Sequence, residues 1–73
     1  MSRRISVTEF CDITGCTMSM ASHIRAGRRV PNTSMLLELH RRLNHPLTPL
    51  VEAHSDGPES FGRYARVHIF KED

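Results

Sequence analysis

The chain has 73 residues, 38 % of them hydrophobic and 25 % charged, with no tryptophan, one tyrosine and three phenylalanines, so it holds one small domain with few large core fillers. Two cysteines are too few for a disulfide scaffold, no apolar run approaches membrane-span length, and no signal-peptide core follows Met1, which predicts a cytoplasmic protein and excludes a large enzyme. Charge is polarised: residues 1–45 carry seven arginines against three acids, a net +4, while residues 46–73 carry three bases against five acids, a net −2.

Residues 1–4 form a basic arm. Ser6 or Thr8 is suited to cap a helix over 7–13, with Glu9 near its positive end and Phe10 and Ile13 at helical spacing. Gly15 stops it by supplying a left-handed cap. Thr17 then caps a second helix that runs to Arg25 or Ala26 and ends at Gly27. Its inward stripe is Met20 or Ala21 with Ile24, which leaves Met18, Ser19, Ser22 and His23 on other faces. Arg28-Arg29-Val30-Pro31-Asn32 is a basic loop broken by proline. Beyond it, Met35, Leu36, Leu39 and Leu43 trace the strongest amphipathic pattern in the chain, capped at its start by Asn32 or Thr33 and at its end by Asn44. A short helix over 48–53 brings Leu50 and Val51 inward.

Residues 54–60 read as a turn or linker by composition. In 63–70 the period changes to two: Ala65, Val67 and Ile69 alternate with Tyr64, Arg66, His68 and Phe70, a strand signal. A single strand needs a neighbour for its hydrogen bonds, so the expected solution is antiparallel pairing with the same strand of a second chain. Tyr64, Ala65, Val67, Ile69 and Phe70 are then the dimerisation residues. The predicted organisation is a helical domain over 1–53, a linker over 54–60 and a dimerising strand within 61–73. The fold class is mainly α, with four short helices and one C-terminal β-strand.

The segment from Phe10 to Ile24 has its own grammar. A helix ends at glycine, a cap follows two residues later, and a second helix opens at once. Cys11, four residues before the glycine, is small where the second helix crosses, as is Ala21, and Ile24 closes the contact. Two helices packed this way let the second protrude into a major groove. With Gly27-Arg28-Arg29-Val30-Pro31, Met35-Leu36-Leu37-Glu38-Leu39 and Leu43-Asn44-His45-Pro46-Leu47, the stretch from about residue 7 to 53 resembles the Cro/C1-type (XRE-like) helix–turn–helix family of phage and bacterial regulators. It departs from that family twice. The helix that usually precedes the motif is missing or reduced to Ile5, and Val7 stands where a buttressing glutamine is usual.

The resemblance implies a sequence-specific transcriptional regulator, a homodimeric repressor or autorepressor of phage or mobile-element type, on a palindromic double-stranded operator. By the same resemblance Met18, Ser19, Ser22 and His23 are base readers, with serine suited to base edge or phosphate and methionine to a thymine methyl. Thr17 at the helix start and Arg25, Arg28 and Arg29 hold phosphate, and Arg3 and Arg4 reach a neighbouring minor groove. The plainer readings are a Met18 buried in place of the absent first helix and a solvated Arg28-Arg29 loop. His40, Arg41 and Arg42 divide between a solvated face and a phosphate contact.

Cys11-x4-Cys16 and His40-x4-His45 look like zinc half-sites, but the gap between them is longer than a zinc finger uses and Cys11 has a packing role. A reducing cytoplasm keeps the two thiols unpaired. No metal, no cofactor and no small-molecule effector is expected. No nucleophile elbow, phosphate-cradling loop or carboxylate pair points to an enzyme. The rival from another class is an antitoxin or antirepressor acting through protein–protein contact.

Overall fold

The computed structural model describes residues 4–71 as five helices. Helix α1 spans Val7–Thr14, α2 Met18–Ala26, α3 Thr33–Leu43, α4 Leu47–Ser55 and α5 Pro58–His68. Local chemistry sets the first three. Ser6, Thr17 and Asn32 have extended backbone and their side chains accept from the amides of Glu9, Met20 and Met35, at 3.1, 3.1 and 2.9 Å. Each bond satisfies one amide that a helix start leaves without an intrahelical partner. Gly15 and Gly27 end α1 and α2 at φ 76° and 84°, and Asn44 ends α3 at φ 53°, a region that asparagine tolerates better than most residues.

The C-terminal third corrects the sequence reading. Residues 63–70 are not a strand: they belong to α5 and the turn after it. Pro58 at the start of α5 and Glu59 in its first turn are helix-opening residues. Residues 54–60 are not a linker either, because α4 runs to Ser55 and α5 opens at Pro58, leaving only Asp56 and Gly57 between them. Among the described residues the only extended pairing is one isolated parallel bridge, Ile5 with Phe70. There the Ile5 amide donates to Ile69 O at 2.8 Å and the Lys71 amide to Ile5 O at 2.9 Å.

Helix α5 supplies the core that the first half lacks. Phe61, Gly62 and Ala65 form its buried face, and Ile69 and Phe70 follow them inward. Phe70 packs on Phe10 of α1 with ring centroids 4.9 Å apart. Ile5, Ile24, Leu39 and Leu50 complete the same fully buried cluster. Burial of each such side chain contributes about 1.5–3 kcal/mol, so the tail is integral to the domain. Ala65, Ile69 and Phe70, expected to pair with a second chain, are buried in their own. Tyr64 is half-buried, and of the five expected dimerisation residues only Val67 is exposed.

The α2–α5 crossing is set by two glycines. A Cβ built on Gly62 falls 2.5 Å from Gly27 Cα and 2.7 Å from Gly27 N, so the backbones approach as no other residue at 62 allows. Arg66 Nη1 then donates to Arg25 O at 2.6 Å. Across the molecule, α3, α4 and α5 meet at buried His45, whose Nε2 is hydrogen-bonded to the Tyr64 hydroxyl. No buried side-chain nitrogen or oxygen among the described residues lacks a partner, and no helix among them is long and apolar enough to cross a membrane.

Candidate nucleic-acid interface

The geometry of α1, its turn and α2 follows from three local devices. Gly15 reverses the chain, Thr17 restarts it, and Ala21 and Ile24 sink into the core while Met18, Ser19 and Ser22 stay exposed. Residues 18 and 22, and likewise 19 and 23, are one turn apart, so the four predicted base readers start from one side of α2, with Ser19 and Ser22 exposed and His23 half-buried. Gly27 ends α2 and hands the chain directly to the exposed Arg28 and Arg29.

Several predicted residues converge. Thr17, Ser19, Met20, His23 and Arg29 line one concavity of about 300 Å³. Arg28 Nε donates to His23 Nδ1 at 3.1 Å, which makes Nδ1 the acceptor and leaves Nε2 as the ring's donor. This bond fixes a polar side chain of the stripe to the basic loop. The set therefore combines hydroxyls, an imidazole donor and two guanidinium groups, donors matched to phosphate oxygens and to the acceptor edges of bases. No acidic side chain lines the concavity.

Others lie elsewhere. The Met18 side chain, although 53 % exposed, leans back so that Cys11 Sγ donates to its Sδ at 3.5 Å. Arg25 is half-buried and lines a second concavity with Arg66, Phe70 and Lys71. Arg4 Nη1 donates to Val67 O at 3.4 Å, which ties Arg4 to the end of α5. Arg3 lies outside the described residues. The α3 cations do not join either group: Arg41 and Arg42 both reach Glu38, at 3.1 and 3.3 Å, and His40 Nδ1 is bonded to His45 O at 2.6 Å.

Arg66 and Lys71 are the cations that sequence reasoning missed. They sit in the acidic half of the chain and reach Arg25 only because α5 folds onto α2. The helix-opening Pro58-Glu59 pair was the available signal.

Among the described residues, three titratable groups depart from their ordinary ranges. Burial, followed by the charges of His68 and His40, holds His45 low. Burial raises the Tyr64 hydroxyl. Burial, then the neighbouring Cys16 thiol, pushes Cys11 up, so it is a protonated thiol near neutral pH. No group of three or more His, Cys, Asp and Glu among the described residues is arranged to hold a metal ion.

Comparison with known protein families, with curated proteins and with solved structures finds no match to this chain.

Proposed function

We propose that the chain is a sequence-specific DNA-binding regulator, a repressor that lays α2 in the major groove. The observation that carries this reading is the convergence of Thr17, Ser19, His23 and Arg29 on one acid-free concavity, with Arg28 bonded to His23. Phosphate is held by Thr17, Arg28 and Arg29, and base edges are read by Ser19, Ser22 and His23. Met18 contributes a methyl-contacting surface at the start of the stripe. Arg25, with Arg66 and Lys71 beside it, extends the basic surface along α2. The resemblance to Cro/C1-type regulators supports the same reading. Helix α5 covers α2 at the Gly27–Gly62 approach.

Binding to a palindromic operator requires two copies with their α2 helices about 34 Å apart. With Ala65, Ile69 and Phe70 internal, the apolar side chains left outward near the tail are Val51 of α4 and Val67 of α5, 45 % and 56 % exposed. We assign self-association to the outward sides of α4 and α5 that carry them. The same pair favours a second reading, a protein-binding module of the antitoxin or antirepressor kind that uses α4 and α5 against a different protein.

Salt dependence separates the two. A phosphate-binding surface loses affinity linearly in log salt, with a slope of about −0.9 per phosphate neutralised. Fluorescence anisotropy on DNA from upstream of the chain's own gene should give such a slope, reduced by about two when Arg28 and Arg29 are both changed to alanine. DNA binding that is absent, or that ignores both salt and these substitutions, favours the protein-binding module.

A further inference from the structure

The exposed arc of α2 is flanked by two basic concavities. At 3.6 residues per turn, Arg25 stands about 200° round the helix from His23. Ser19, Ser22 and Ala26 lie on the exposed arc between them, and Ala21 and Ile24 on the buried one. On the His23 edge is the concavity that Arg29 shares with Thr17 and Ser19. On the Arg25 edge is a smaller one, of about 170 Å³, lined by Arg25, Arg66, Phe70 and Lys71.

This second concavity is built by the tail. Arg66 Nη1 donates to Arg25 O at 2.6 Å, which holds the guanidinium beside α2 and uses one of its five donors. The Lys71 amide donates to Ile5 O at 2.9 Å, which fixes the backbone that carries the ammonium. Phe70, buried and packed on Phe10, supplies an apolar wall. Three cations share the recess, and none of its lining residues is acidic. Like charges held together repel, and a bound anion relieves that repulsion. Capping the last turn of α2 explains Arg66 but neither Arg25 nor Lys71.

We propose that Arg25, Arg66 and Lys71 hold a DNA backbone phosphate, on the strand opposite to the one held by Thr17 and Arg29. This rests on the reading of α2 as the DNA-facing helix. An α-helix with its side chains is about 10–12 Å across and the major groove is about 12 Å wide, so a helix laid in the groove brings its two flanks against the two walls. Those walls are the backbones of the two strands. Guanidinium forks and an ammonium match phosphate oxygens and read no sequence. The second grip therefore sets the depth and angle of α2 and leaves base choice to Ser19, Ser22 and His23. The tail has two roles: it fills the core with Phe61, Ala65 and Ile69, and it presents Arg66 and Lys71 beside α2.

Anisotropy titrations of the full chain with the upstream duplex, over about 50–200 mM salt, test the proposal. One phosphate contact changes the slope by about 0.9, so across that range the native chain should lose about 3.5-fold more affinity than Lys71→Gln. That variant keeps the backbone bond to Ile5 and so removes the ammonium alone. Arg66→Gln, checked for folding by circular dichroism, should act in the same direction, and Lys71→Gln keeps the test decisive if it is not folded. A single uncharged methylphosphonate is then moved along each strand of one half-site. The position that weakens the native chain but not Lys71→Gln should lie on one strand, and the position silent to Arg29→Gln on the other. The proposal is overturned, with the DNA reading intact, if folded Lys71→Gln keeps the native slope while the double alanine variant of Arg28 and Arg29 loses about two from it. It is equally overturned if both silent positions lie on one strand. A native chain whose DNA binding is absent or ignores salt overturns the proposal and the reading together.

Discussion

The close approach of α2 and α5 at Gly62 can be perturbed with one methyl group. In Gly62→Ala the new Cβ meets Gly27 Cα at 2.5 Å, Gly27 N at 2.7 Å and Ile24 O at 3.2 Å. Carbon contacts are ordinarily 3.5–4.0 Å, so α2 and α5 must part by about an ångström. The obstructing atoms are backbone, which has no rotamer to yield. Overpacking of this kind costs about 1–3 kcal/mol, and this case belongs at the upper end. Alanine returns about 1 kcal/mol through its better helix propensity. The net loss is about 2 kcal/mol, which lowers the Tm of a domain this size by about 8–16 °C.

Gly15→Ala is the control. Its Cβ meets nothing within 4 Å, and only the φ of 76° opposes it, a cost of about 1–2 kcal/mol. Thermal melts followed by circular dichroism should place Gly62→Ala well below the native protein, with a loss that comes from packing and not from strain. Arg66→Ala in the Gly62→Ala background should cost less than in the native chain, because the parted helices no longer hold Arg66 against Arg25 O. A Gly62→Ala protein that melts at or above the native temperature would refute the α2–α5 crossing, and with it the helical reading of the tail.

Two further predictions concern pH and association. Because His45 titrates below its ordinary value in the folded state, the unfolded chain takes the proton first. Stability should therefore be complete above about pH 6.5 and fall as pH drops below it, by at most about 1.4 kcal/mol per pH unit for this group; urea melts at several pH values check this, and an unchanged acid slope in His45→Phe would contradict it. Val67→Asp, at a position 56 % exposed, should leave stability within about 0.5 kcal/mol while shifting sedimentation from dimer to monomer, and a folded variant that stays dimeric would remove Val67 from the self-association face.

How much of this was legible in the sequence depends on whether the deciding chemistry was local. The first three helices were, because Ser6, Thr17 and Asn32 start them and Gly15, Gly27 and Asn44 end them, all within a turn or two of the helices they bound. The tail was not. Ala65, Val67 and Ile69 alternate over a short span, and β-branched residues at period two are a strand signal. The competing pattern, Phe61, Gly62, Ala65 and Ile69 on one helical face, contains a glycine that propensity disfavours in a helix. That glycine is there because Gly27 is on the other side, which only the tertiary fold reveals.

The candidate site divides in the same way. The exposure of Ser19, Ser22, Arg28 and Arg29 follows from the periodicity of α2 and from Gly27, so the stripe could be read from spacing. The Arg28–His23 bond, the Arg66–Arg25 contact and the Cys11–Met18 sulfur contact could not. The first two depend on side chains that reach across a loop or between helices. The third depends on how sharply the turn at Gly15 folds α2 back on α1.

On the proposed function, α2 and the loop after it face DNA. Amide NMR spectra of the chain, recorded as an upstream operator duplex is added, test it most directly. With α2 on the DNA, the shifts should concentrate at Thr17, Ser19, Ser22, His23, Arg28 and Arg29, with the amides of Val51 and Val67 moving little at the half-site. Shifts that centre on α4 and α5 and leave residues 17–29 unmoved would contradict it.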